Sequence, residues 1–81
     1  MFYVYVIKSL KDSNIYVGHT SNLRKRMALH NAGKINSTEK RRPFSLLYYE
    51  ACNLLKDAVQ REHALKTGFG RAYLKRRLSD I

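Results

Sequence analysis

Eighty-one residues carry sixteen Lys and Arg against six Asp and Glu, a net charge of +10, with 44% hydrophobic residues and a single cysteine. A chain this short forms one domain over 1–81 and buries only about 60% of its unfolded surface, so its core is thin and every inward polar side chain is costly. The charge points to polyanionic partners, nucleic acid first, although a ribosomal or membrane-surface role would need the same charge. Cys52 alone excludes an intrachain disulfide and a cysteine-based metal site, and fits a reducing compartment.

"FYVYVIK" at 2–8 reads as a strand covered on both faces, with Tyr3, Tyr5 and Ile7 on one side and Phe2, Val4 and Val6 on the other. It is too short for a membrane span and lacks a basic leader or cleavage site, so a cytoplasmic protein with no membrane association is expected. "LKDSN" supplies turn chemistry, and "IYVG" resumes the strand pattern, which predicts a hairpin with Tyr16 near its far end. After Gly18 and His19, Thr20 or Ser21 is the expected N-cap of a helix over roughly 22–32 that Gly33 stops. Leu23 and Met27 form its inward stripe. "KINSTEKRRP" reads as a polar, basic loop without periodicity, and "FSLLYYEAC" at 44–52 as a third strand. A second helix follows, with Leu55, Ala58, Val59 and Leu65 on one stripe and Gly68 as its stop. "RAYLKRRLSD" is a short terminal helix, apolar at Ala72, Tyr73, Leu74 and Leu78. The order β-β-α-β-α-α predicts an α+β domain: a small three-stranded, largely antiparallel sheet flanked by helices.

Several polar residues lie along the packing stripes. Glu62 shares the stripe of Leu55, Ala58 and Val59, and a buried unpaired carboxylate costs on the order of several kcal/mol. Either Lys66 at i+4 compensates it, or a divalent cation held by one carboxylate with water and phosphate does. Arg26 adjoins the Leu23–Met27 stripe, as a snorkelling cation or as a fork that grips phosphate. His30, one turn on, is a satisfied histidine or a proton relay. Tyr5 and Tyr16 are core filler, or one of them is a general base whose phenol Arg26 and a metal would draw below its ordinary value near pH 10. As a set, these residues describe a phosphodiester-cleaving site.

The "YVY" at 3–5, the "YVG" at 16–18, "LRKRMALH" and a later helix carrying Glu62 together resemble the GIY-YIG nuclease domain. The likeness covers nearly the whole chain and is closest to small stand-alone bacterial members. It extends to the N-terminal nuclease domain of the nucleotide-excision-repair incision subunit. It implies a Mg²⁺- or Mn²⁺-dependent DNA endonuclease in which Tyr5 and Tyr16 match the two signature tyrosines and Gly18 matches the glycine of the second triplet. Arg26 then clamps phosphate, His30 orients the tyrosine or water, and Glu62 holds the metal. Gly18, lacking a Cβ, would let the chain turn sharply and leave room for a phosphate. Two departures stand out: Tyr3 replaces the first triplet's glycine, and the last helix offers "LKRRLSD" where active members often carry an asparagine.

The expected function is hydrolysis of DNA phosphodiester bonds with little intrinsic sequence specificity, in repair or recombination, by a monomer or weak dimer using one divalent ion and no small-molecule cofactor. Six scattered acids are too few for a carboxylate-rich two-metal site. The alternative is a basic nucleic-acid-binding module that keeps the fold and cleaves slowly or not at all. Arg24, Lys25, Lys40, Arg41, Arg42, Lys66, Arg71, Lys75, Arg76 and Arg77 supply its backbone contacts. RNA is the weaker partner, since no aromatic base-stacking signature is legible on an exposed face. The five site residues are expected to converge in one solvent-open pocket at the hairpin edge.

Overall fold

The doubly apolar character of the first strand has a direct cause in the computed structural model, which describes residues 1–79. β1 (Phe2–Ser9) lies in the middle of the sheet, between β2 (Ile15–Thr20) and β3 (Phe44–Cys52), and pairs antiparallel with both. Val4, Tyr5, Val6 and Ile7 are therefore all fully buried. Strand alternation divides them between two cores. Val4 and Val6 join Val17, Ala58, Leu65 and Leu74 beneath α2 (Leu55–Leu65) and α3 (Gly68–Arg77). Tyr5 and Ile7 join Phe44, Tyr16, Leu23 and Met27 beneath α1 (Leu23–Asn31). The architecture is the expected α+β arrangement in the order β-β-α-β-α-α.

Local chemistry moves several boundaries. Asn22, not Thr20 or Ser21, caps α1: its Oδ1 accepts from the Lys25 backbone N–H at 3.1 Å. Thr20 ends β2, and its hydroxyl accepts from the Asn22 N–H at 3.1 Å, so the two side chains share the turn. Gly33 takes a positive φ of 75° just past the helix, as a C-terminal stop requires. Gly68 does not stop α2; α2 ends at Leu65, and Gly68 opens α3, whose N-cap is Thr67. A Cβ at Gly70 would strike the Ala64 carbonyl and the Leu65 backbone, which fixes the corner between the two helices. Leu55 remains 48% exposed and Ala72 is exposed, so Ala58, Leu65 and Leu74 form the buried helical contacts. Asp80, assigned to the last helix from sequence, lies outside the described residues.

The segment 34–43 is more than a polar loop. Thr38 is fully buried, and the Ser9 hydroxyl donates to the Arg41 carbonyl at 2.5 Å. Arg41 also forks onto Asp12 at 2.7 and 3.3 Å and bonds the Asn14 carbonyl, tying the segment to the hairpin turn. At its end the Asn31 side chain receives the Phe44 N–H at 2.7 Å and donates to the Phe44 carbonyl. Among the described residues no helix is long and apolar enough to cross a membrane.

Candidate active site

Register places Tyr5 directly between Gly18 on β2 and Tyr49 on β3. A Cβ at Gly18 would stand 2.5 Å from the Tyr5 hydroxyl and 2.7 Å from Cζ. The space expected for a phosphate is thus taken by the hydroxyl of Tyr5 itself, and glycine is required so that the tyrosine can reach across the edge strand. That hydroxyl lies 2.8 Å from His30 Nε2, and His30 Nδ1 lies 2.7 Å from the Thr38 hydroxyl. All three side chains are fully buried. Thr38 is in turn 3.5 Å from the Ile35 carbonyl, which can only accept. One direction of proton donation satisfies the whole chain: Thr38 donates to Ile35, His30 Nδ1–H donates to Thr38, and Tyr5 O–H donates to the free Nε2. Tyr16 closes the group edge-on, its ring 5.3 Å from the imidazole and 6.5 Å from Tyr5.

Burial, helped by the Arg26 charge, lowers the His30 pKa and keeps the imidazole neutral. Tyr5 moves in the opposite sense from the one expected. Burial raises its pKa, and the hydrogen bond and charge of Arg26 oppose that without overcoming it, while Tyr16 and Glu62 add to the rise. In the chain alone the phenol is a weaker acid than free tyrosine.

Arg26 lines a depression of about 340 Å³ together with Thr20, Ser21, Asn22, Lys25 and Leu29. Its Nε is buried and has no hydrogen-bond partner among the described residues. Leaving such a donor unmade costs about 1–3 kcal/mol, and more for a charged group, so an anionic acceptor at this position would be strongly favoured.

Glu62 arrives from the other side of the sheet. His19 pairs opposite Val4 and so faces α2, where its Nδ1–H donates to Glu62 Oε1. Lys66 Nζ donates to Oε2 at 2.5 Å. Burial alone would raise the Glu62 pKa, but the bonds from His19 and Lys66 outweigh it and hold the carboxyl below its ordinary value. Both compensations weighed from sequence can use this geometry, because the Glu62 side chain is 13% exposed while Lys66 is 51% exposed and free to swing aside. Among the described residues no three His, Cys, Asp or Glu side chains gather to hold a metal. A divalent ion would therefore depend on Glu62, water and substrate phosphate, which suits Mg²⁺.

Tyr5, Tyr16, His30 and Arg26 thus gather on the α1 face, and Glu62 approaches from the α2 face closely enough for its charge to act on Tyr5. They do not share one solvent-open pocket: Tyr5 and His30 are sealed, and of the five only Arg26 lines the depression. Of the basic residues, Arg24 and Lys25 are exposed on α1 beside it, and Lys40, Arg71, Lys75 and Arg76 are exposed elsewhere. Arg41 is committed to Asp12, Arg42 lies against Gly33, and Arg77 lies over the rings of Tyr48 and Tyr73. Two residues of the site escaped the sequence reading. Strand alternation alone could have placed His19 opposite the Glu62 stripe, whereas nothing local marks Thr38.

The profile of the GIY-YIG catalytic domain matches residues 1–78. A UPF0213 protein of Staphylococcus haemolyticus is 44% identical over 66 residues, covering 80% of this chain and 79% of its own length. A UPF0213 protein of Bacillus pumilus is 41% identical over 66 residues, 80% of this chain and 66% of its own length, and one of Pediococcus acidilactici is 43% identical over 68 residues, 80% and 68% of the two chains. With its sheet, its two signature tyrosines and nearly its full length accounted for, the chain belongs to the GIY-YIG family of nuclease domains.

Proposed function

We propose that this protein is a metal-dependent endonuclease that hydrolyses DNA phosphodiester bonds with little sequence preference, in DNA repair or recombination. The observation that carries the reading is the buried Nε of Arg26, without a partner among the described residues, beside the Tyr5–His30 pair. A scissile phosphate in the depression would meet the guanidinium of Arg26, and drawing the side chain outward would give its buried Nε an acceptor. Tyr5 and His30 are sealed in the free chain, so a bound strand must part the α1 edge; the attacking water would then pass a proton to the Tyr5 oxygen as Tyr5 passes its own to His30 Nε2. The hydroxide oxygen bonds to phosphorus, the bond to the leaving sugar oxygen breaks, and that oxygen takes a proton from solvent. Arg26 offsets the charge added at the phosphate. Glu62 would hold a Mg²⁺ or Mn²⁺ ion, oriented by His19, with Lys66 giving way; a bound ion supplies further neutralisation of the phosphate and leaving oxygen.

The test is incubation with supercoiled plasmid, branched DNA and single-stranded DNA in Mg²⁺, Mn²⁺ or EDTA, beside the Glu62→Ala protein. Cutting that needs the metal and disappears in the variant is expected. Binding without cutting under all conditions would establish the second reading, a basic nucleic-acid-binding module. One observation favours that reading: Glu62 already has both oxygens engaged.

A further inference from the structure

The α1 face of the sheet is only partly covered. Between the first turn of α1 and β3 lies a groove of about 510 Å³, lined by Tyr3, Leu23, Arg24, Met27, Leu46 and Tyr49, with Ser21 and Asn22 at its rim. Tyr49 is 53% exposed, Leu46 is 40% exposed, and the Tyr3 and Tyr49 rings meet edge to face at 6.0 Å. This is the aromatic surface that could not be read from the sequence, where Tyr3 and Tyr49 are far apart and each resembles core filler.

We propose that this groove is a subsite for an unpaired nucleobase, stacked on Tyr49, of the nucleic-acid strand whose phosphate lies against Arg26. The inference rests on the nucleic-acid reading of the neighbouring depression and extends it to the form of substrate. Position carries the first step. Ser21 and Asn22 line both hollows, so a strand held at Arg26 continues over the start of α1 directly into the groove. Charge carries the second. The first turn of α1 has no acidic residue, and Arg24, Lys25 and Arg26 succeed one another there, which suits a phosphate backbone and opposes a basic peptide. The third is the shape of the lining. Tyr49, half exposed and braced by Tyr3, offers ring surface beside an apolar floor to the face of a planar base, and within a strand a base released from its stack presents that face. The row Gly18, Tyr5, Tyr49 across the sheet places this platform beside the tyrosine of the proton chain.

The chain contains no tryptophan, so Tyr49→Trp gives a single selectively excited reporter on the platform. It is titrated in EDTA, where cutting is not required, with a short single-stranded oligodeoxyadenosine and with a duplex of equal charge closed at both ends by non-nucleotide linkers. The indole fluorescence of the Tyr49→Trp protein is expected to be quenched by the single strand and little changed by the duplex. Tyr49→Ala should weaken single-strand binding about tenfold, the effect typical of one lost base–aromatic stack, with duplex affinity unchanged and Tyr49→Phe close to the parent. Equal quenching by both DNAs, no quenching by either, or an equal loss of affinity for both in Tyr49→Ala would overturn the proposal. So would a concentration-dependent change in the indole emission without DNA, accompanied by a dimer in sedimentation, which would assign the groove to a second copy of the chain. Because binding is read without metal, the outcome is separable from the nuclease assignment: selective stacking without cutting keeps the subsite and removes the enzyme, and cutting without selective stacking does the reverse.

Discussion

Two glutamates on the α2 side of the sheet are each held by a cation, and they are held in different ways. Glu50 receives Arg61 as a two-pronged fork, with both bonds at 2.9 Å, and the Tyr48 hydroxyl at 2.6 Å. Arg61 stacks over Tyr73 at 4.8 Å, and Arg77 lies over Tyr73 from another direction. Each cation there is also packed against a ring. Glu62 receives Lys66, an exposed point charge on a flexible stem, and His19, whose side chain is 36% exposed. The guanidinium cluster stays in one geometry because several groups agree on it, while the ammonium can leave without disturbing any packing. The same charge pairing is therefore a fastener at Glu50, and at Glu62 it leaves room for the exchange of cation for metal ion that the proposed function requires.

The comparison breaks most visibly at catalysis. Tyr5→Phe keeps the ring over Gly18 and removes the proton chain, so cutting should fall by about 10²–10⁴-fold, the usual contribution of a positioned acid or base, while the stranded His30 Nε2 should lower stability by about 1–3 kcal/mol and leave the protein folded at the assay temperature. Activity within a few fold of the parent in a single-turnover assay would take Tyr5 out of the chemistry. At the fastener the readout is stability. Arg61→Ala leaves Glu50 with Tyr48 alone and should cost about 2 kcal/mol after allowance for its partial exposure, lowering the melting temperature by roughly 10 °C without altering turnover. A smaller loss than for a bare surface pair would show that the cluster is not cooperative.

A titration sharpens the contrast between the buried proton chain and the two carboxylates. The folded pKa of His30 lies below its unfolded value near 6.5 because burial disfavours the imidazolium. Between those values the unfolded chain binds a proton that the folded chain does not. The stability contributed is thus fully present above about pH 6.5 and is lost as the pH falls from there through the folded value. Glu50 and Glu62 are also depressed on folding, so their contribution is intact above the unfolded carboxyl value near 4.3 and disappears only in stronger acid. Melting temperatures should fall in two separate stages, and His30→Gln should abolish the first and leave the second. A single acid transition in the parent would contradict a neutral buried His30.

Alternation and helical spacing made most of this fold legible. Tyr5 and Val4 were assigned to opposite faces from the period of two, and the Glu62 stripe was read from the period of 3.6, because a thin core leaves those patterns few other uses. Sequence spacing anticipates that Tyr5, Tyr16, Arg26 and His30 share one face, and it does not anticipate their burial. Whether Tyr5 is sealed or open depends on Thr38 and Phe44, which approach from distant positions in the chain, so its raised pKa could not be anticipated from an adjacent arginine. Gly18 was correctly singled out for a close approach, but the partner was a side chain of the neighbouring strand. Helix ends were misjudged where two candidates competed: Asn22 outreached Thr20 and Ser21 for the α1 cap, and Thr67 turned an apparent stop at Gly68 into a start.

The smallest effect is the most informative about exchangeability. Lys66 to Glu62 is an i, i+4 pair with an exposed ammonium, so Lys66→Ala should lower stability by no more than about 0.5 kcal/mol. His19 still engages one carboxylate oxygen, but the other is released to solvent. If the ammonium and a divalent ion compete for that oxygen, removing the competitor should tighten Mn²⁺ binding by up to about fivefold, the range of a partly exposed pair. Lys56→Ala on the same helix removes an equal charge from an exposed position outside the Glu62 pair and serves as the control for the general field. Calorimetric titration of Mn²⁺ should then rank Lys66→Ala above Lys56→Ala, and both at or above the parent. Equal affinities for the two variants would mean that the ion does not use the oxygen Lys66 covers. A large fall in melting temperature for Lys66→Ala would make Glu62 a second fastener and erase the distinction between the two glutamates.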